Sequence, residues 1–279
     1  MWRFIGLAEA DGPWNMAVDE AILRAVGQGK APPTVRFYTW NPPALSLGYF
    51  QDYGREVNEE GCRRLGVQCV RRPTGGRAVL HDREVTYAFV FPEGDPLLPP
   101  GVVASCRAIG EGIAAGLQRL GVAVDPLSGK GRQARGRSAA CFDAPSWYEV
   151  TAGGRKLVGS AQVRRHGAVL QHGSILLEFD VDRLLAVLNL AGQGRPGGGE
   201  GGAELRRRLL AGVASLAQLL GSPPPPARVA EAVAAGWQER LGMAFQPGEL
   251  AAEERALAER LRAKYAGREW TAFRREPPL

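Results

Sequence analysis

Apolar residues recur along the chain at two periods, and the period changes where the type of element should change. Between Val102 and Leu120 the positions Val102, Cys106, Ile109, Ile113, Leu117 and Leu120 repeat every three or four residues, with Gly121 just beyond. That spacing predicts an amphipathic helix with a glycine stop. Asn15 is the expected cap of an earlier helix running to Val26, with Met16, Ile22, Ala25 and Val26 on one face and Gly27 at its end. A third helix is expected from Arg55 to Leu65.

Elsewhere the runs are short and β-branched or aromatic. Val35 to Trp40 and Leu45 to Phe50, separated by Asn41-Pro42-Pro43, predict strand, turn and strand. Further strands are expected at Val67 to Arg72, Val85 to Phe91, Trp147 to Thr151, Lys156 to Val163 and Ala168 to Phe179. Seven of the eleven residues from 192 to 202 are glycine, and Ser222 precedes four prolines, a pattern of linkers around helices at about 203–220, 227–241 and 249–266. The division predicted is a catalytic domain over 1–191, a Gly-rich linker over 192–202 and a helical C-terminal extension over 203–279. Strands mixed with helices in the first 190 residues make the fold class α/β.

Composition narrows the function. No stretch approaches 18 uninterrupted apolar residues, and an acid follows the first eight residues, so a soluble, cytoplasmic protein with no membrane association is expected. The four cysteines form no CxxC pair and the three histidines are scattered, which predicts reduced thiols and no metal. Net charge is +6, yet only four of the 35 basic residues are lysine. That balance suits an acidic partner, while the lack of a zinc-finger or RRM signature argues against nucleic acid. The match to GxGxxG at Gly192, Gly194 and Gly197 follows a helical run and carries no cofactor signal.

Three places could carry chemistry. Gly75-Gly76, between Arg72 and Arg77 and ahead of His81, would let backbone amides approach a ligand flanked by charged donors. Cys141 lies among small residues just after the basic segment Ser128 to Ser138, whereas Cys62, Cys69 and Cys106 fall in helix or strand patterns and read as inert. A free thiol is only about 3% thiolate at pH 7, so a nucleophilic Cys141 needs a nearby cation. Lys156 is the candidate, placed by period-two alternation on one face with Val158 and Ser160, and His172 could face a pocket from the next strand.

The segments RRPTGGRAVLHD, ACFDAPSWYEV and GRKLVGSAQVRRHGAVLQHGSILL, in that order, resemble the lipoate/biotin protein ligase superfamily, and most closely its cysteine-dependent octanoyltransferase branch. The resemblance implies a central mixed β-sheet flanked by helices. It implies an acyl-thioester at Cys141, with Lys156 contacting the acyl carbonyl and lowering the thiol pKa. Arg72, Gly75, Gly76 and His81 match one wall of the acyl pocket, and Ser160, His172 and Gly173 the opposite wall. The implied reaction moves octanoyl from acyl carrier protein to a lysine of a lipoyl domain, such as the glycine cleavage H protein, with no cofactor. The alternatives are an ATP-dependent lipoate ligase and an amidotransferase between lipoyl domains. Arg77, where the ligases have a third glycine, and the cysteine segment both argue against adenylation.

Overall fold

The computed structural model describes residues 1–127, 149–190 and 202–276. A six-stranded mixed sheet organises them, in the order β11-β1-β2-β6-β10-β9. Its strands are β1 (Trp2–Ala10), β2 (Thr34–Trp40), β6 (Glu84–Pro92), β9 (Val158–Arg165), β10 (Ala168–Leu176) and β11 (Phe245–Pro247). The first three in spatial order run parallel, and the remaining pairings are antiparallel. A smaller sheet of β3 (Ala44–Leu47), β4 (Gln68–Arg71) and β5 (Val79–His81), in the order β4-β3-β5, lies beside it. β7 (Thr151–Ala152) and β8 (Arg155–Lys156) form a two-residue ladder.

Alternation along the strands sorts side chains onto two cores. Val35, Phe37, Val85, Tyr87, Phe89, Val169 and Ile175 join one cluster, packed under α4 (Val102–Arg119) and α8 (Pro226–Leu241). Tyr38, Trp40, Ala88, Val90, Ala168 and Leu170 join the other, under α1 (Gly12–Gly27) and α9 (Ala252–Ala266). On β10 the residues continuing this second face are His172 and Ser174, both buried, so the same periodicity that builds the core delivers polar groups to it.

Helices α4 and α8 approach through glycine. A Cβ on Gly112 would stand 2.1 Å from Trp237 Cδ1, and one on Gly236 would stand 2.1 Å from the Gly112 carbonyl oxygen. Residues after 202 therefore contribute directly to the main core: Trp237 stacks on Phe37, and β11 extends the sheet beside β1.

Several boundaries differ from the sequence reading. Asp11, not Asn15, caps α1, accepting from Trp14 N at 2.8 Å with Pro13 in the first turn. Asn15 is buried inside the helix, where its amide donates to the Ala10 and Thr39 carbonyls and accepts from Arg36. The helix expected over Arg55 to Leu65 is two short ones, α2 (Tyr53–Glu56) and α3 (Glu59–Arg64), because Val57 is extended and Asn58 starts a new cap. The helix expected at 203–220 is likewise α6 (Gly202–Gly212) and α7 (Leu216–Leu220), the second capped by Ser215. The strand expected over Lys156 to Val163 breaks at Leu157, so Lys156 and Ser160 stand in different ladders. Two short helices, α5 (Val181–Val187) and α10 (Arg268–Phe273), complete the described fold.

Candidate functional site

A pocket opens between the two sheets. Of the residues expected at the site, Arg72, His81, Ser160, His172 and Gly173 line it, joined by Trp40, Ser46 and Ser174. The expected walls thus meet across one cavity although they lie about a hundred residues apart. Gly173 is required here by space, since a Cβ would stand 2.6 Å from the Gly159 carbonyl and 2.7 Å from the Tyr87 ring.

Gly75 and Gly76 do not line the cavity, but they belong to the loop that borders it. The buried Arg72 guanidinium donates to the carbonyls of Gly75 at 2.8 Å and Arg77 at 2.7 Å, and also to the Ser46 carbonyl and hydroxyl, each at 3.0 Å. Gly76 holds φ at +92°, and Gly48 packs so closely on its carbonyl that a Cβ there would stand 2.0 Å away. The turn after Gly48 is held in its place by Arg71, whose guanidinium donates to the carbonyls of Gly48, Tyr49, Gln51 and Thr271.

Both histidines are wired to buried carboxylates. His172 stands 3.0 Å from Asp19 through Nδ1 and 2.6 Å from the Thr74 hydroxyl through Nε2. His81 stands 2.7 Å from Glu84 through Nδ1 and 2.7 Å from the Ser46 hydroxyl through Nε2. Burial pushes the His172 pKa down, against the opposing pull of Asp19, so the ring is held neutral at neutral pH. Arg36 stands 3.2 Å from Asp19 and balances its charge in the interior. His81 also stacks on Trp40, with ring centroids 4.0 Å apart.

Lys156 is buried and ion-paired with the equally buried Glu149. Glu149 lines a second cavity with Val150, Gln162 and Gln171, and this cavity shares Ser160 and Ala161 with the first. Lys156 thus sits beside the histidine pocket without lining it. Cys141 and the basic segment before it lie outside the described residues. Of the other thiols, Cys106 is pushed up to about 11 by burial, which suits an unreactive sulfur. Among the described residues no group of three or more His, Cys, Asp and Glu side chains is arranged to hold a metal ion, and no helix is long and apolar enough to cross a membrane.

The sequence reading passed over Asp19, Glu84, Glu149, Ser46 and Thr74. For the first a signal existed: Asn15, Asp19 and Glu20 are polar positions on a helix whose other buried positions are apolar or glycine, and a buried carboxylate needs a partner.

Residues 11–238 match the lipoyl protein ligase A/B catalytic-domain family, a span that crosses the Gly-rich segment and reaches into α8. Octanoyltransferase LipM of Kyrpidia tusciae is 49% identical over 273 residues, covering 96% of this chain and 97% of that protein. Octanoyltransferase LipM of Moorella thermoacetica is 44% identical over 274 residues, with 96% and 97% covered. Among solved structures, a bipartite lipoate protein ligase from Thermoplasma acidophilum superposes with a TM-score of 0.79 at 25% identity, covering 99% of this chain and 98% of that one. A lipoate-protein ligase A bound with ATP gives 0.77 at 27% identity, covering 98% and 99%. The fold is that of the lipoate ligase class. Within it, the chain belongs to the lipoyl protein ligase A/B catalytic-domain family and to its octanoyltransferase branch.

Proposed function

We propose that this protein transfers octanoyl from acyl carrier protein to a lysine of a lipoyl domain, the glycine cleavage H protein being the expected acceptor, through a thioester on Cys141. The observation that carries the reading is the shared pocket: residues from two of the three motifs line one cavity, in a chain whose full-length relatives are octanoyltransferases.

The Cys141 thiolate attacks the donor thioester carbonyl, and the donor's thiolate departs as the octanoyl-enzyme forms. The neutral acceptor amine then attacks that carbonyl, an amide forms, the Cys141 thiolate is released, and the proton the amine gives up passes to solvent, from which the donor thiolate takes one. Splitting the transfer means two protein substrates need never occupy the enzyme together. The Lys156 ammonium stabilises the thiolate, and amides of the Gly75-Gly76 loop help hold the developing oxyanion. Burying the acyl chain among Trp40, Met16 and Val79 contributes at most about 5 kcal/mol at roughly 0.8 per methylene. Arg72, His81, Ser160, His172 and Gly173 shape the cavity around it.

The test is transfer without nucleotide. With octanoyl acyl carrier protein and H protein, the acceptor should gain one octanoyl group in the absence of ATP. Acceptor modification that requires ATP and free octanoate would assign a ligase instead.

A further inference from the structure

Two buried chains of hydrogen bonds run from opposite sides of the pocket to the same short loop. In one, the Asp19 carboxylate only accepts, so His172 Nδ1 carries a proton and donates to it at 3.0 Å. The neutral ring then accepts at Nε2, and the Thr74 hydroxyl donates to it at 2.6 Å. In the other, Glu84 accepts from His81 Nδ1 at 2.7 Å, and the Ser46 hydroxyl meets His81 Nε2 at 2.7 Å. The Ser46 oxygen also accepts from Arg72, whose other nitrogen holds the carbonyls of Gly75 and Arg77. The first chain ends on Thr74, the second on Gly75 and Arg77.

Neither carboxylate lines the pocket, and both are almost wholly enclosed, at 0% exposure for Asp19 and 1% for Glu84. Interior carboxylates are a poor way to gain stability, since apolar residues of similar size do as well or better. Their value lies in direction. Each imidazole is held in one orientation between a carboxylate and a hydroxyl, so each carboxylate is joined through a ring to a group that touches the loop or its arginine.

We propose that Asp19, through His172 and Thr74, and Glu84, through His81, Ser46 and Arg72, are positioning residues that jointly fix the Thr74–Arg77 loop, and so aim its backbone amides for acyl transfer. The inference rests on the acyl-transfer reading above. It adds four side chains to that reading, Asp19, Glu84, Ser46 and Thr74, which act through the loop; of these, Ser46 also lines the pocket. A loop with a free backbone misplaces donors that must meet an oxyanion within a fraction of an ångström.

Steady-state transfer of octanoyl from acyl carrier protein to H protein by Thr74→Val, Thr74→Ser, Glu84→Gln and the Thr74→Val/Glu84→Gln double variant tests this, with thermal unfolding as a check on folding. Thr74→Val should lower kcat about 10- to 100-fold while the donor KM stays within about twofold, and Thr74→Ser, which keeps the hydroxyl, should recover to within about threefold of wild type. The double variant should be slower by less than the product of the single losses, because both act on one loop. A Thr74→Val enzyme as fast as wild type, or a Thr74→Ser enzyme as slow as Thr74→Val, overturns the inference; so does a double variant whose loss equals the product. Should Glu84→Gln not fold, the Thr74 pair alone decides. Failure of the parent reading looks different: wild type itself then forms no octanoyl-enzyme.

Discussion

His172 shows how one residue can be read from sequence in part. Its place on a strand beside a glycine and a serine was legible, because alternation and the motif agree, and the structure puts it on the pocket wall. Its wiring was not. Asp19 lies 153 positions away on α1, and nothing local to either residue reports that contact. The wiring has a measurable consequence. Burial lowers the His172 pKa from the ordinary imidazole value near 6.5, so the unfolded chain takes up a proton before the folded one does. Stability from this site is therefore present above pH about 6.5 and declines as pH falls toward the lower folded value, with a slope of at most about 1.4 kcal/mol per pH unit. His166, also lowered by burial, contributes in the same direction. Subtraction isolates His172: urea unfolding of wild type and His172→Gln between pH 5 and 8 should show a shallower dependence in the variant. Equal slopes would mean that the ring does not titrate as described.

At the scale of elements, long periodic segments were legible and short or broken ones were not. The helix expected from Val102 to Leu120 is α4 over Val102–Arg119, because eighteen residues of consistent periodicity leave little room for an alternative. The helix expected from Arg55 to Leu65 failed since two Asx caps, Asp52 and Asn58, each begin a separate turn, and capping outweighs weak periodicity over so few residues. The Lys156 strand failed for a tertiary reason: Leu157 leaves the ladder and its amide donates to the Val150 carbonyl. The α4–α8 contact carries its own prediction. Ala at Gly236 should gain up to about 1 kcal/mol of helix propensity. Its Cβ would also meet the Gly112 carbonyl at 2.1 Å and the Gly116 amide at 2.4 Å, backbone atoms that cannot rotate aside. Overpacking costs about 1–3 kcal/mol, and with no soft neighbour the upper end applies, so Gly236→Ala should destabilise by about 2 kcal/mol in chemical denaturation. A stabilised variant would contradict this packing.

For the whole molecule, the α/β class was legible from the alternation of strand and helix patterns and the helix-flanked mixed sheet from the family resemblance, but the part played by the residues after 202 was not. Gly-rich and Pro-rich stretches mark linkers by composition, and composition says nothing about what the chain packs against once past them. Here the residues beyond supply Trp237 to the main core, β11 to the sheet edge and the buried Lys264 and Tyr265 to Glu20 of α1. None of the described residues that line the pocket comes from this segment, so it supports the scaffold and not the cavity wall. Octanoyl held on the enzyme is the central claim, and intact-protein mass after mixing with octanoyl acyl carrier protein, without acceptor, tests it most directly. Wild type should carry one octanoyl group that hydroxylamine removes, and Cys141→Ala should carry none. An unmodified wild type that still octanoylates the acceptor, or a Cys141→Ala enzyme that loads like wild type, would contradict the account.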